Sequence, residues 1–178
     1  KANLRQIAQI EMKKQGLACQ CIRCREVRRE KIAADDLQLI IETYETDATT
    51  EHFLSFETHK SGDGSINGDG HIKDGRIAGF LRLSFPHADV DLPIPELASH
   101  AMIREVHVYG PALIIGGDSD GDAQHAGLGT QLVNKAKSMA RAAGYKKIAV
   151  ISAIGTRDYY RKHNFELDID DLYMTTPL

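Results

Sequence analysis

Two periods of apolar residues run along this chain, and they change places twice. Near the start, Leu4, Ile7, Ala8 and Met12 fall at helical spacing, and Gly16 ends the pattern, which predicts a helix over residues 1 to 15. The period then shortens. Leu37 to Tyr44 (LQLIIETY), His52 to Glu57 (HFLSFE), Arg76 to Ser84 (RIAGFLRLS) and Ala101 to Tyr109 read as four strands, the second and third as hairpin partners. Residues 60 to 75 and 110 to 123 are Gly- and Asp-rich loops. Residues 85 to 99 hold three of the five prolines and read as an irregular excursion. Helical spacing returns with Leu128, Leu132, Val133, Ala136, Met139, Ala140 and Ala143, with Gly144 at the end of that helix. Lys147 to Ser152 is apolar on both faces, the mark of a central strand with a parallel neighbour. A short helix over Thr156 to Lys162 and a last strand over Tyr173 to Thr176 complete a mixed α/β (α+β) sheet flanked by helices.

Composition narrows the class. With 178 residues, 42% apolar and 26% charged, the chain has the profile of a soluble globular domain. No stretch approaches the ~20 apolar residues of a membrane span, so no membrane partner and a cytoplasmic location are expected. The start at Lys1 is read as the start of a fragment. The net charge of -3 is unevenly spread: +6 over residues 1 to 31 and -9 over the rest. A basic head on an acidic body points to an anionic partner, with a plain solvated helix face as the alternative. This divides the chain into a basic, Cys-rich segment, 1 to 31, and a body, 32 to 178.

All three cysteines, Cys19, Cys21 and Cys24, fall within six residues. A C-x-C-x2-C run offers three thiolates to one soft ion. Zinc would need a fourth ligand from among eight histidines, and His107 is one candidate. An iron–sulfur cluster and plain thiols are the alternatives. The acidic loops carry less. Asp63 to Asp74 imitates a calcium loop, but it has Gly70 at the eighth place and Asp74 at the twelfth, and its flanks read as strands. It and the Asp118, Asp120, Asp122 cluster are read as solvated loops. More telling is Q-H-A-G-L-G-T, Gln124 to Thr130, which opens the long helix. Gly127 and Gly129 remove Cβ atoms where a diphosphate could approach the backbone. The free N–H groups of the first helical turn would then face the anion.

The order of that turn, its helix, the strand IAVIS and a helix bearing Tyr159 and Tyr160 resembles the GNAT acyl-CoA N-acetyltransferases. A narrower resemblance is to the Elongator catalytic-subunit family of tRNA uridine acetyltransferases. It rests on C-x-C-I-R-C-R-E-V (Cys19 to Val27), FLSFE, I-R-E-V-H-V-Y-G (Ile103 to Gly110), the QHxGxG turn, K-I-A-V-I-S, G-T-R-x-Y-Y-R-K (Gly155 to Lys162) and the closing Leu-Tyr-Met. Two places depart from the family pattern: His163-Asn164-Phe165, where Gly-Phe or Gly-Tyr is usual, and a long 60–74 loop.

The resemblance implies a GNAT fold, acetyl-CoA and a tRNA partner. It also implies zinc at the cysteines and a radical-SAM domain with its own S-adenosylmethionine and 4Fe-4S cluster elsewhere in the same protein. A homodimer is left open. Gln124, His125, Gly127, Leu128, Gly129 and Thr130 would hold the coenzyme's pyrophosphate. Val106, His107 and Val108 would pair with its pantetheine, and Ser152 would line the same site. Tyr159 or Tyr160, with a preference for Tyr160, would stand beside the thioester sulfur. Glu105, set on one face with Ile103, His107 and Tyr109, is a candidate base or the partner of an arginine such as Arg157. His107 is a candidate base, zinc ligand or core histidine. Arg161 and Lys162 are candidate phosphate or tRNA contacts, and Arg23, Arg25, Arg28 and Arg29 would touch tRNA phosphates. A protein lysine acetyltransferase and a non-catalytic acetyl-CoA/RNA-binding module are the competing readings.

Overall fold

The computed structural model describes residues 3–28, 32–59 (Ala34 as backbone only), 75–109, 127–169 and 171–178. Helix α1 spans Leu4–Lys14 and α2 spans Ile22–Arg25. Strands β1 (Leu37–Glu45), β2 (Thr49–Thr58), β3 (Ile77–Pro86) and β4 (His100–Val108) follow. Then come α3 (Leu128–Ala142), β5 (Lys147–Ile151), α4 (Arg157–Arg161), β6 (Glu166–Asp168) and β7 (Tyr173–Pro177). The seven strands form one sheet in the order β1-β2-β3-β4-β5-β7-β6. Strands β1 to β4 are antiparallel meander neighbours, and, of the strand pairs among the described residues, β4 with β5 runs parallel. The parallel pair requires a crossover, and α3 lies in it. The short strand β6 was not expected. Three residues are too few for a period to show, and β6 exists through its pairing with β7.

The apolar stripe of α3 covers one face of the sheet. Leu132, Val133, Ala136 and Ala140 meet Leu54, Leu81, Leu83, Ile103, Ile148, Val150 and Met174, all fully buried. Each large side chain so buried contributes about 1.5–3 kcal/mol. The other face of the sheet is polar and aromatic. There Glu51 accepts hydrogen bonds from Ser84 at 2.5 Å and Thr49 at 2.8 Å, and Ser55 donates to Glu57 at 2.7 Å.

The chain after the cysteines is tied to this sheet. Val27 donates its N–H to the Ile77 carbonyl at 3.0 Å and is fully buried. Arg25 forms an ion pair with Glu57 and donates to the Gly75 carbonyl at 2.8 Å. Helix α1 is different. A capping box at Asn3 starts it, but none of its residues is buried, and Leu4 is 82% exposed.

One irregularity organises the site. Arg82 pairs with Glu105, but Leu83 pairs with Ile103, so Arg104 is an extra residue in β4. Such a bulge bends its strand and reverses the alternation of faces. Pairing of β4 with β5 stops at Ile103. Beyond it, Val106 and Val108 pack toward the core, while Glu105 and His107 are exposed on the opposite face. The expected shared face of Ile103, Glu105 and His107 is therefore broken between the first two. Period-2 counting across a bulge fails by one residue.

Candidate functional site

Past the bulge, β4 and β5 separate. Among the described residues, Val106, His107 and Val108 pair only with Leu81, Phe80 and Gly79 of β3. Their other edge is open, as an added extended segment would need. The first turn of α3 closes this gap at one end. Its N-cap, Gly127, supplies no side-chain hydrogen bond, so among the described residues the leading N–H groups of a 15-residue helix carry no side-chain cap. Leu128 is buried against Val27 and Ala78, which fixes the direction in which that turn points. Gln124 and His125 lie outside the described residues.

Gly129 has a specific steric reason. A Cβ there would stand 2.7 Å from the Tyr159 hydroxyl and 3.6 Å from Val108 Cγ2. Three elements, β4, α3 and α4, thus converge on one point. The Tyr159 hydroxyl is buried and, among the described residues, has no hydrogen-bond partner. Burial, with a smaller contribution from Tyr160, pushes its pKa up to about 12. Tyr160 points elsewhere. It is 6% exposed and packs edge-on against Phe165, with ring centroids 5.7 Å apart. Adjacent helical residues diverge by about 100°, so Tyr160, which the sequence favoured, turns into the core while Tyr159 faces Gly129. Ser152, just past β5, also has a buried hydroxyl without a partner among the described residues.

A polar groove of about 540 Å³ extends the site between α3 and α4. Thr130, Asn134 and Lys137 line one wall, and Tyr159, Lys162, His163 and Asn164 the other. Lys137 donates to the His163 carbonyl at 2.5 Å and lies over the Phe165 ring at 4.8 Å. Burial holds the pKa of Lys137 below the ordinary lysine value, and Arg141 adds to the effect. Asn134, Lys137, His163 and Asn164 were missed from sequence. Thr130, Asn134 and Lys137 are spaced i, i+4, i+7, so the flank of the apolar stripe would have revealed them. Arg161 is paired with Asp158 at 2.5 Å, whereas Lys162 faces the groove.

The outer face gives Glu105 an arginine partner, as one of its two readings held, and changes the surroundings expected of His107. Glu105 is paired with Arg82 at 3.4 Å, with 45% of its side chain exposed, not with Arg157 and not in a closed cleft. Arg157 instead donates to the Asp171 carbonyl at 3.2 Å. His107 is exposed, not a core histidine. It stacks on Phe80 at 5.9 Å and lies 4.6 Å from the Tyr109 ring.

The cysteines do come together. The Sγ atoms of Cys19, Cys21 and Cys24 lie within 4.8 Å of one another, and His107 is not part of that group. Three sulfurs around one ion at about 2.3 Å would sit slightly closer together, so the spacing fits a soft metal. Arg5 donates to Cys24 Sγ at 3.1 Å, and Gln9 to the same sulfur at 3.3 Å. Burial would raise the Cys21 thiol, but hydrogen bonds from Cys19, Cys24 and Arg5 outweigh it and leave the pKa at about 7. Arg5 and Gln9, one helical turn apart, were not singled out from sequence. Of the basic residues after the cysteines, Arg25 is held by Glu57, Arg28 lies 3.9 Å from Glu26, and Arg29 lies outside the described residues.

Comparison with known proteins agrees with this geometry. Residues 30–165 match the acetyltransferase (GNAT) family. The tRNA uridine(34) acetyltransferase of Methanocaldococcus infernus is 34% identical over 174 residues, which cover 93% of this chain and 30% of that protein. Elongator complex protein 3 of Dictyostelium discoideum is 36% identical over 172 residues, covering 93% and 28%. The solved archaeal Methanocaldococcus infernus Elp3, with an N-terminal deletion, superimposes with a TM-score of 0.72 at 32% identity. That match covers all of this chain and 40% of that one. The chain thus spans about 30% of the length of the curated relatives it matches. An opened β4–β5 edge, an uncapped helix mouth and the matched span of 30–165 agree: the chain belongs to the acetyltransferase (GNAT) family.

Proposed function

We propose that this chain is the acetyl-CoA-binding half of a tRNA wobble-uridine-modifying enzyme. The observation that carries the reading is the convergence of the open β4 edge, the uncapped mouth of α3 and the partnerless Tyr159 hydroxyl on one gap. The N–H groups of Leu128, Gly129 and Thr130 suit the pyrophosphate. The free edge of Val106 to Val108 suits the amides of pantetheine. Lys137 and Lys162 offer positive charge along the groove. Tyr159 replaces Tyr160 in the role beside the sulfur. Its raised pKa keeps the phenol protonated, so it is a donor at every physiological pH. When the thioester carbon–sulfur bond breaks, the acetyl group passes to the acceptor or to water, and the hydrogen bond from Tyr159 stabilises the departing thiolate. A free thiol has a pKa of about 8.5, so stabilisation does not require Tyr159 to give up its proton. Glu105, paired with Arg82 on the outer face, then serves structure rather than proton removal.

Zinc is the metal that the three sulfurs suit best, held by Cys19, Cys21 and Cys24, with Arg5 balancing their negative charge. Its contribution would be to fix the basic loop that carries Arg23 and Arg28. The RNA reading draws on the names of the relatives, tRNA uridine(34) acetyltransferase and Elongator complex protein 3, and on this basic segment. Turnover of acetyl-CoA, followed as thiol release with and without tRNA, tests it. Stimulation by tRNA is expected. Acetyl transfer to a lysine peptide without RNA would overturn the reading in favour of a protein acetyltransferase.

A further inference from the structure

A second cavity, also of about 540 Å³, lies between the cysteine loop and the outer face of the sheet, away from the α3–α4 groove. Tyr44 and Phe53 are its rings, Arg23, Arg25 and Arg82 its cations, and Glu42 its carboxylate. Register explains why they meet. Glu42 pairs with Phe53, and Phe53 with Arg82, so all three share the outer face, and Tyr44 lies two residues beyond Glu42 on the same face. The cysteine loop hangs over them, held by the Arg25–Glu57 ion pair.

We infer that this cleft is a stacking site for an unpaired nucleobase of the RNA substrate. The inference rests on the proposed RNA-modifying function and adds to it a place and a mode of recognition. Flat rings and guanidinium planes are the two protein surfaces that stack bases. The rings here do not stop at the cleft. Phe53 stacks on Phe80 at 5.3 Å, Phe80 on His107 at 5.9 Å with planes 21° apart, and Tyr109 follows at 4.6 Å from His107. The aromatic row crosses β2, β3 and β4 and ends at Tyr109, just past the open stretch of β4 that borders the proposed acetyl-CoA gap. It therefore joins the basic loop to the site of chemistry. Arg23 has no ion-pair partner among the described residues and is available to a phosphate, whereas Arg25 is occupied by Glu57. Glu42 adds an acceptor for a base N–H. Among the described lining residues, aliphatic side chains, which a hydrophobic peptide pocket would need, are represented only by Ile22.

The test uses this 178-residue chain and a tRNA anticodon stem-loop carrying 5-bromouridine in its loop. Irradiation is expected to crosslink the loop to Tyr44 or Phe53, mapped by mass spectrometry of the digested adduct. Tyr44→Ala and Phe53→Leu should each weaken binding roughly fivefold to a hundredfold, the range of one lost stack, with an unchanged dependence on salt. Tyr44→Phe should bind as the parent does. Phe53→Leu keeps an apolar side chain in the sheet, and thermal melting confirms that each variant is folded. Arg23→Ala should reduce the slope of log affinity against log salt by about one. Crosslinks confined to residues outside the cleft, or full affinity in both ring variants, would overturn the stacking site while leaving acetyl-CoA binding, measured by calorimetry on the same samples, as the separate check on the proposed function. A parent chain that binds neither acetyl-CoA nor the stem-loop would overturn that function, and this inference with it.

Discussion

At the scale of single residues, two neighbouring phenols show how a one-position difference decides what a side chain faces. Tyr159 and Tyr160 carry the same chemistry, but one hydroxyl is aimed at Gly129 and the other ring is packed on Phe165. Tyr159→Phe should slow thiol release at least tenfold with little change in acetyl-CoA affinity. Unchanged turnover would remove Tyr159 from the mechanism. Tyr160→Ala should instead cost about 3–5 kcal/mol of stability, read from denaturant unfolding, because it empties a core position. Gly129→Ala places a methyl against the Tyr159 hydroxyl, and weaker acetyl-CoA binding is expected. Adding Tyr159→Phe removes the obstructing oxygen and should restore part of the affinity, a coupling that calorimetry on the double variant would show. The pH dependence follows from the same burial. The pKa of Tyr159 is raised from 10 in the unfolded chain to about 12 in the folded one. Its contribution to stability is therefore complete below pH 10 and is lost as pH rises from there toward 12. Alkaline unfolding should be less steep in Tyr159→Phe than in the parent.

At the scale of elements, the bulge at Arg104 and the loop of cysteines each do what no single side chain could. The bulge ends the β4–β5 pairing and leaves the following backbone open to a ligand. The cysteine loop is fixed to the sheet by a buried ion pair. Arg25→Ala would leave Glu57 charged and buried, at a cost of about 3–5 kcal/mol. Arg25→Met together with Glu57→Leu should recover much of that stability, because no unpaired charge remains. Equal loss in the double variant would mean that the pair does more than compensate its own burial.

At the scale of the whole molecule, the basic segment and the proposed acetyl-CoA site share a small apolar cluster. Val27 packs with Ala78 and with Leu128, the first residue of α3, and Val108 borders the same group. This cluster links the cysteine loop to the helix mouth. If the cysteines hold the proposed metal, its removal with a chelator should weaken acetyl-CoA binding several-fold, although among the described residues none of the three cysteines lines the groove of the proposed site. Equal affinity with and without metal would show that the cluster does not transmit. Among the described residues no helix is long and apolar enough to cross a membrane.

Much of this was legible in the linear pattern. The apolar stripe of α3, the doubly apolar β5, the four antiparallel strands and the glycine turn are local signals, because a helix or strand writes its own period into neighbouring residues. The meeting of three cysteines was also local, since six residues cannot separate far. What the tertiary structure alone decided were the relations between distant segments. A one-residue bulge turned Glu105 away from Ile103, α4 was rotated so that Tyr159 and not Tyr160 faced Gly129, and Arg25 of the cysteine loop found Glu57 of β2. None of these leaves a periodic trace, because each depends on how two separately determined surfaces settle against one another when water is excluded between them.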